Sequence, residues 1–189
     1  MATNPEDTRT TATPYSTRID LSEETRRALI ELLNQTLADT SDLYSQTKQA
    51  HWNVKGKDFY QLHLLYDELA EKLEEPADLV AERVVLLGGY ARGTVRMAAQ
   101  HSRITPFPSL DNGADPRYLE TLADRWAEYA KHIREDNAKA DEIGDPATVD
   151  LYDEITHIAD RGTWFIEGHL QRYHGGLPDG GADPTNGHA

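Results

Sequence analysis

Apolar residues recur every three or four positions along four long stretches of the chain, and this periodicity predicts four amphipathic helices. The first is expected to begin at Asp20 or Ser22, either of which can cap a helix, and to end near Trp52. The second is expected to begin after Asp58 and to run to Gly88, because glycine commonly follows the last residue of a helix. The alternation typical of β-strands is essentially absent, so the chain is expected to be all-α. The residues expected on the buried faces of the four helices are Leu29, Leu33, Leu37 and Leu43 or Tyr44, then Phe59, Leu62, Leu69, Leu73, Val80, Val84 and Leu87, then Leu119, Leu122, Trp126, Tyr129 and Ile133, and last Val149, Tyr152, Ile155, Ala159, Phe165 and Ile166.

An Asp-Pro pair opens each of the two remaining helical stretches, at residues 115–116 and 145–146. Aspartate accepts hydrogen bonds from the free amides of a first turn, and proline fits the first helical position. The connection between the second and third helices is too long for a turn and contains a short helical pattern at residues 94–101. A long middle crossover is the arrangement of ferritin-like four-helix bundles, which is therefore the expected fold.

Both ends of the chain differ in composition from the helical part. Residues 1–18 are rich in Thr and Pro, and residues 175–189 are polar and rich in Gly and Pro. Both are expected to be flexible tails around one folded domain at residues 19–174. The start lacks a secretion-signal pattern, and no apolar run reaches the roughly 20 residues of a membrane helix, so a cytoplasmic protein without a membrane partner is expected.

The chain carries 33 Asp and Glu against 19 Lys and Arg, a formal net charge of −14, and it has no Cys. The lack of Cys excludes disulfide scaffolds, thiolate zinc sites, iron–sulfur clusters and cysteine nucleophiles. A strongly negative surface disfavours nonspecific contact with nucleic-acid phosphates and attracts cations.

The second helical stretch carries two pairs of side chains that can ligate a metal. His63 and Asp67 lie one turn apart, as do Asp78 and Glu82, and the helical repeat brings both pairs to nearly the same face. Along one helix, however, Asp67 and Asp78 are separated by roughly 16 Å, which is too far to share an ion. The stretch therefore offers two half-sites.

The four positions are symmetric in the sequence: the midpoint between residues 63 and 82 and the midpoint between residues 67 and 78 both fall between residues 72 and 73. An identical helix running antiparallel about a twofold axis at that point places each half-site opposite the complementary half-site of the partner. The sites formed in this way combine imidazole and carboxylate ligands, and His51 at the end of the first helix can add another imidazole. Such ligands favour iron or manganese, and zinc also remains open.

Other interpretations of these residues stay open. The four side chains are equally those of a solvated helix face. A metal site inside one bundle needs Glu-x-x-His pairs, and the spacing occurs here at residues 154–157 alone. A purely structural helical oligomer is a further alternative.

At these residues the sequence closely resembles the Dps family, the mini-ferritins first described as DNA-binding proteins from starved cells. The resemblance extends over roughly residues 20 to 170. It is carried by Lys48-Gln49-Ala50-His51-Trp52-Asn53-Val54, Gly56, Phe59, Leu62-His63, Asp67-Glu68, Asp78, Ala81-Glu82-Arg83, Leu87-Gly88-Gly89, Leu122-Ala123-Asp124-Arg125 and Trp164-Phe165-Ile166-Glu167.

The resemblance implies a hollow homododecamer with a dinuclear iron centre at each end of a twofold dimer interface. It implies that His51, His63 and Asp67 come from one subunit, and Asp78 and Glu82 from its mate. The implied activity is that of a ferroxidase, which oxidises Fe(II), preferentially with hydrogen peroxide, and stores the ferric mineral against oxidative stress. Zn or Mn is expected to be able to take the place of iron.

The resemblance also implies roles for residues around this centre. Trp52 resembles an aromatic neighbour that takes up stray oxidising equivalents, and packing at an interface explains it equally well. Asp141, Asp145 and Asp150 lie where the family has acidic pores, which makes them candidates for ion entry, although Asp145 is also expected to cap the fourth helix. One departure from the pattern is Pro76, which removes a backbone hydrogen bond within the second helical stretch and is expected to kink it.

Family members that bind DNA generally rely on Lys- and Arg-rich tails. Here residues 1–19 hold two basic and two acidic residues, a net charge of zero, and residues 175–189 hold two acidic residues and no Lys or Arg, a net charge of −2. Little or no DNA binding is therefore expected at physiological salt. The alternative is a nucleoid-associated structural protein that protects DNA by coating it.

Overall fold

The computed structural model describes residues 15–109 and 117–174, with the backbone alone for 172–174. The regular elements within these ranges are all helices, as the apolar periodicity predicts. They are α1 (Glu23–Asn53), α2 (Phe59–Glu71), α3 (Glu74–Leu86), α4 (Val95–His101), α5 (Arg117–Ile143) and α6 (Pro146–His174).

The helices form a four-helix bundle in which α2 and α3 together make up the second member. α1 packs against α2, α3, α4 and α5, while α6 packs against α5 and α3. The short helix α4 lies in the crossover between α3 and α5, as expected. The expected ferritin-like arrangement, four bundle helices with a short extra helix in a long middle crossover, is therefore confirmed.

The helix starts follow local capping chemistry. The Ser22 hydroxyl accepts a hydrogen bond from the Thr25 amide, and the Thr94 hydroxyl accepts one from the Met97 amide. Asp58 precedes α2 as expected, but within the described residues its side chain makes no capping hydrogen bond. The Asp-Pro pair at residues 115–116 lies outside the described residues, as do residues 1–14 and 175–189.

The second helical stretch is not continuous, so the prediction of one helix from Asp58 to Gly88 is wrong. α2 ends at Glu71, α3 begins at Glu74, and a turn at Lys72 and Leu73 separates them. Pro76 explains the break, because it has no N–H to donate to the Lys72 carbonyl and its ring clashes with that carbonyl in a straight helix. As the third residue of a new helix, proline sacrifices no hydrogen bond, since the first amides of a helix lack intrahelical partners.

Glycine ends α3 as the sequence predicts. Gly88 has a φ of +87°, and the amides of Gly88 and Gly89 donate to the carbonyls of Val85 and Val84. The Gly88 carbonyl accepts a hydrogen bond of 2.7 Å from the Tyr15 amide, so the segment before α1 contacts the end of α3. A side chain at position 88 would both strain the backbone and meet the Tyr15 carbonyl at 2.4 Å.

The core lies between the helix faces that the periodicity predicts, with three exceptions, of which Val149 and Phe165 are partly buried. The expected residues that are buried include Leu29, Leu33, Leu37, Leu43, Leu62, Leu69, Leu73, Val80, Val84, Leu87, Leu119, Leu122, Trp126, Tyr129, Ile133, Tyr152, Ile155, Ala159 and Ile166. Phe59, which the pattern assigns to the buried stripe, is 44% exposed. In the described part of the chain, no helix is long and apolar enough to cross a membrane.

A buried ion network fastens the crossover to the bundle. Arg103, just after α4, donates hydrogen bonds to the carboxylates of Asp39 on α1 and Asp136 on α5, both fully buried. Burial disfavours the charge of Arg103, but the hydrogen bonds to Asp136 and the charge of Asp39 outweigh it and raise the arginine pKa. The network holds α1, α5 and the segment just after α4 together.

Candidate metal centre

The end of α1 and the first turns of α2 place two imidazoles face to face. His51 Nδ1 lies 2.8 Å from the His63 carbonyl oxygen, and His63 Nδ1 lies 3.0 Å from the His51 carbonyl oxygen. Because a carbonyl only accepts, each Nδ1 carries a proton and donates. In the neutral rings each Nε2 therefore keeps its lone pair, which is the form in which histidine binds a metal.

Ring packing reinforces this arrangement. The His51 and His63 rings stack with centroids 3.9 Å apart and planes inclined by 21°. The Phe59 ring lies on His63, with centroids 5.1 Å apart and planes inclined by 30°. Imidazole orientation thus depends on both the hydrogen bonds and the neighbouring rings.

Asp67 supplies a carboxylate to the same cluster. Its Oδ1 lies 3.7 Å from His51 Nε2, a separation that suits two ligands of one ion, whose ligand atoms lie about 3 to 4 Å apart. Of the predicted ligands, the structure thus brings His51 close to both His63 and Asp67. The two helices approach each other here because α1 packs against α2.

Lys48, one turn before His51 on α1, is bonded to the same carboxylate. Its ammonium nitrogen lies 2.5 Å from Asp67 Oδ1. This hydrogen bond holds the pKa of the Asp67 carboxyl below its usual value and the pKa of Lys48 above its usual value. The sequence motifs did not predict this pairing, although Lys48 lies one turn before His51 and therefore on the same face of α1.

Asp78 and Glu82 lie on α3, and both side chains are exposed. Asp78 lines a cavity of about 730 Å³ between α1, α3 and the α4 region, to which Lys48 and Trp52 also contribute. Among the residues that the structure describes, no group of three or more His, Asp or Glu is arranged to hold a metal within one chain. Within these described residues, His51, His63 and Asp67 therefore do not form a complete site by themselves, and Asp78 and Glu82 do not complete one.

Trp52 follows His51 at the end of α1 and is 67% exposed. Its ring lines the same cavity as Asp78, rather than packing into the bundle core. This position agrees with either interpretation drawn from the sequence, a redox neighbour of the centre or a residue that packs at an interface.

The acidic residues near the start of α6 fall into two groups. Asp145 is buried, and its carboxylate accepts hydrogen bonds from the Thr148 hydroxyl, from Arg83 of α3 at 2.6 Å and from the Ala147 amide. Burial opposes ionisation of Asp145, but these hydrogen bonds outweigh it and lower its pKa. The expected cap is therefore present, whereas Asp141 and Asp150 are exposed.

The bundle interior offers no support for the alternative of a metal site inside one bundle. Glu154 and His157, which have the spacing for such a site, are both exposed on α6. The described residues contain three buried carboxylates, and each is bonded to an arginine: Asp39 and Asp136 to Arg103, and Asp145 to Arg83.

Comparison with known proteins identifies the group to which this geometry belongs. Residues 30–174 match the ferritin-like domain family. A protein of Agrobacterium fabrum named DNA protection during starvation protein, or Dps, is 36% identical over 157 residues, which cover 83% of this chain and 96% of the relative. The chain belongs to the Dps family.

Solved Dps structures share this fold. DpsC from Streptomyces coelicolor superposes with a TM-score of 0.78 at 34% identity, covering 84% of this chain and 92% of that one. An archaeal Dps homologue from Halobacterium salinarum superposes with a TM-score of 0.77 at 28% identity, covering 87% and 92%. The resemblance drawn from the sequence motifs is thus confirmed, and Dps proteins as a family are associated with iron storage and protection of DNA.

Proposed function

We propose that the protein is a ferroxidase that oxidises Fe(II) with hydrogen peroxide and stores the ferric product. The observation that carries the proposal is the imidazole pair of His51 and His63, whose Nδ1 atoms are both occupied by carbonyls. The Nε2 atoms of the neutral rings are thereby prepared for a metal, and Asp67 Oδ1 lies 3.7 Å from that of His51.

The ligand types suit iron as a substrate rather than as a permanent constituent. Carboxylates stabilise Fe(III) relative to Fe(II), and a small number of protein ligands leaves positions open for peroxide. Iron that binds Asp67 through Oδ1 meets the Lys48 ammonium at the same oxygen, and the two positive charges repel each other. Zinc or manganese in place of iron stays a prediction, as does a cytoplasmic location.

A second chain is proposed to complete the centre. The symmetric spacing about residues 72 and 73 would place Asp78 and Glu82 of one subunit opposite His63 and Asp67 of its mate, in a twofold interface. Dimers of this kind are proposed to build a hollow homododecamer with a formal charge of 12 × −14 = −168. Such a shell draws cations inward, and Asp141 and Asp150 remain candidates for their entry.

The direct test is Fe(II) oxidation by peroxide in a His51→Ala, His63→Ala double variant. Oxidation is expected to fall close to the rate without protein, because both prepared nitrogens are lost. A His101→Ala, His157→Ala protein is the matched control, since it removes two histidines on other helices. Equal rates in the double variant and wild type would refute the proposed centre.

Sharing between subunits has its own test. Asp67→Ala and Glu82→Ala chains, refolded together, are expected to regain part of the activity that each lacks alone. A mixed dimer carries both substitutions in one site and neither in the other. Verified mixed dimers without recovered oxidation would contradict the shared centre while leaving a site within one chain open.

A Dps protein that protects DNA by coating it is the alternative function. The relatives named for DNA protection motivate it, but the neutral and acidic tails of this chain disfavour it. Removal of Fe(II) and peroxide protects DNA without contact, so the proposed activity accounts for protection on its own.

A further inference from the structure

Phe59 is an apolar residue that the bundle core does not use. The helical pattern places it on the buried stripe, yet its side chain is 44% exposed. Its ring instead packs against the imidazole of His63, one turn further along α2, with the ring centroids 5.1 Å apart. The next residue, Tyr60, is also exposed and belongs to the same first turn of α2.

The His63 ring contacts two neighbouring rings, that of His51 at a centroid distance of 3.9 Å and that of Phe59 at 5.1 Å. The backbone fixes the position of Phe59, because the Phe59 amide donates to the Gly56 carbonyl and Gly56 has a φ of +104°. A residue other than glycine at position 56 would strain this turn.

The two imidazoles are not held equally. His51 is buried at the end of α1, whereas His63 is only half-buried. A single hydrogen bond from Nδ1 leaves the His63 ring free to rotate about that bond. Contacts with the neighbouring rings of His51 and Phe59 restrict this rotation. Removing Phe59 therefore affects the direction of His63 Nε2 more than that of His51.

We propose that Phe59 is a positioning residue whose ring fixes the His63 imidazole so that Nε2 faces the metal position. This inference rests on the proposed ferroxidase function. Phe59 itself touches neither iron nor peroxide in the proposal. Its role is that of a residue that contacts a metal ligand and orients it. Loss of such a residue typically lowers metal affinity about tenfold or more.

The test compares Phe59→Leu, Phe59→Tyr and the neighbouring Tyr60→Leu as matched control. Co(II) binding is titrated by visible absorption with iron absent, and Fe(II) oxidation is measured as separate kcat and KM values. Assembly is followed by size-exclusion chromatography. Leucine keeps apolar bulk and helix propensity but removes the flat ring face, whereas tyrosine keeps that face.

Phe59→Leu is expected to weaken Co(II) binding about tenfold and to raise KM for Fe(II) more than it lowers kcat. Phe59→Tyr and Tyr60→Leu are expected to bind Co(II) as wild type does. Wild-type Co(II) affinity in Phe59→Leu would overturn the inference, as would a loss of assembly in that variant, which would assign Phe59 to subunit packing. His63→Ala separates the two proposals: if it binds Co(II) and oxidises Fe(II) like wild type, the ferroxidase centre fails, and not merely the role of Phe59.

Discussion

Lys48 and His51 lie one helical turn apart on α1 and approach the same oxygen of Asp67. The ammonium is 2.5 Å from that oxygen and His51 Nε2 is 3.7 Å from it. A cation entering between the imidazole and the carboxylate therefore competes with a positive charge already present. The energy of this competition is modest, because Asp67 is accessible to water and the charges are screened.

Replacing Lys48 by Met is expected to tighten binding of the first metal ion by up to about fivefold, since methionine keeps an unbranched apolar side chain of similar length without the charge. Co(II) titration at low and high salt measures the effect, which should shrink as salt rises. Lys55→Met, in the exposed turn between α1 and α2, is the control. Unchanged Co(II) affinity in Lys48→Met would contradict the expected competition between Lys48 and the metal for Asp67.

Only some of the side-chain pairs at the candidate centre can be predicted from the sequence. His63 and Asp67 share a helix, so their common face follows from the helical repeat. Lys48 reaches Asp67 across the contact between α1 and α2, and the register of that contact depends on the whole packed bundle. The exposure of Phe59 is likewise a tertiary outcome, because apolar periodicity does not distinguish a core residue from one packed on a half-buried histidine.

At the scale of helices, the break at Lys72 and Leu73 separates the two half-sites. His63 and Asp67 belong to α2, while Asp78 and Glu82 belong to α3. The break coincides with the midpoint about which the half-sites are symmetric. In the proposed dimer, the relative rotation of α2 and α3 would therefore set how the two pairs of proposed ligands face the mate.

Pro76→Ala restores the missing amide and is expected to favour one continuous helix across residues 72 and 73. Helical signal at 222 nm should rise slightly, and Fe(II) oxidation should fall severalfold because Asp78 and Glu82 rotate relative to α2. Pro146→Ala is the matched control, since proline at the first position of α6 removes no helical hydrogen bond. Unaltered oxidation in Pro76→Ala, together with a demonstrated continuous helix, would show that the break has no role in the centre.

Helix ends were predictable where local chemistry decides them. The cap of Ser22, the glycine end at Gly88 and the short helix after Thr94 all follow from residues adjacent in sequence. Pro76 is compatible with either a kinked helix or two separate helices at Lys72. Which of the two forms depends on how α3 packs against α1 and α6, and the position of Pro76 alone does not determine that packing.

At the scale of the whole molecule, charge decides between two ways of protecting DNA. Each chain has a formal net charge of −14, and the tail at residues 175–189 contributes −2 of it without any Lys or Arg. Affinity for duplex DNA depends on neutralising phosphates with basic residues. The proposed shell of such chains would therefore be repelled by DNA at distances within the Debye length, about 8 Å at physiological salt.

Wild-type protein is expected to leave duplex DNA unshifted in a native gel at about 150 mM salt without divalent ions. Asp179→Lys with Asp183→Lys changes the charge of the C-terminal tail from −2 to −2 + 4 = +2 and is expected to produce a shift that weakens as salt rises. In the same buffer, wild type should still protect DNA from cleavage by Fe(II) and peroxide, whereas the His51→Ala, His63→Ala protein should not. Protection that persists in the double variant, or a shift by wild type, would favour coating over removal of the reactants.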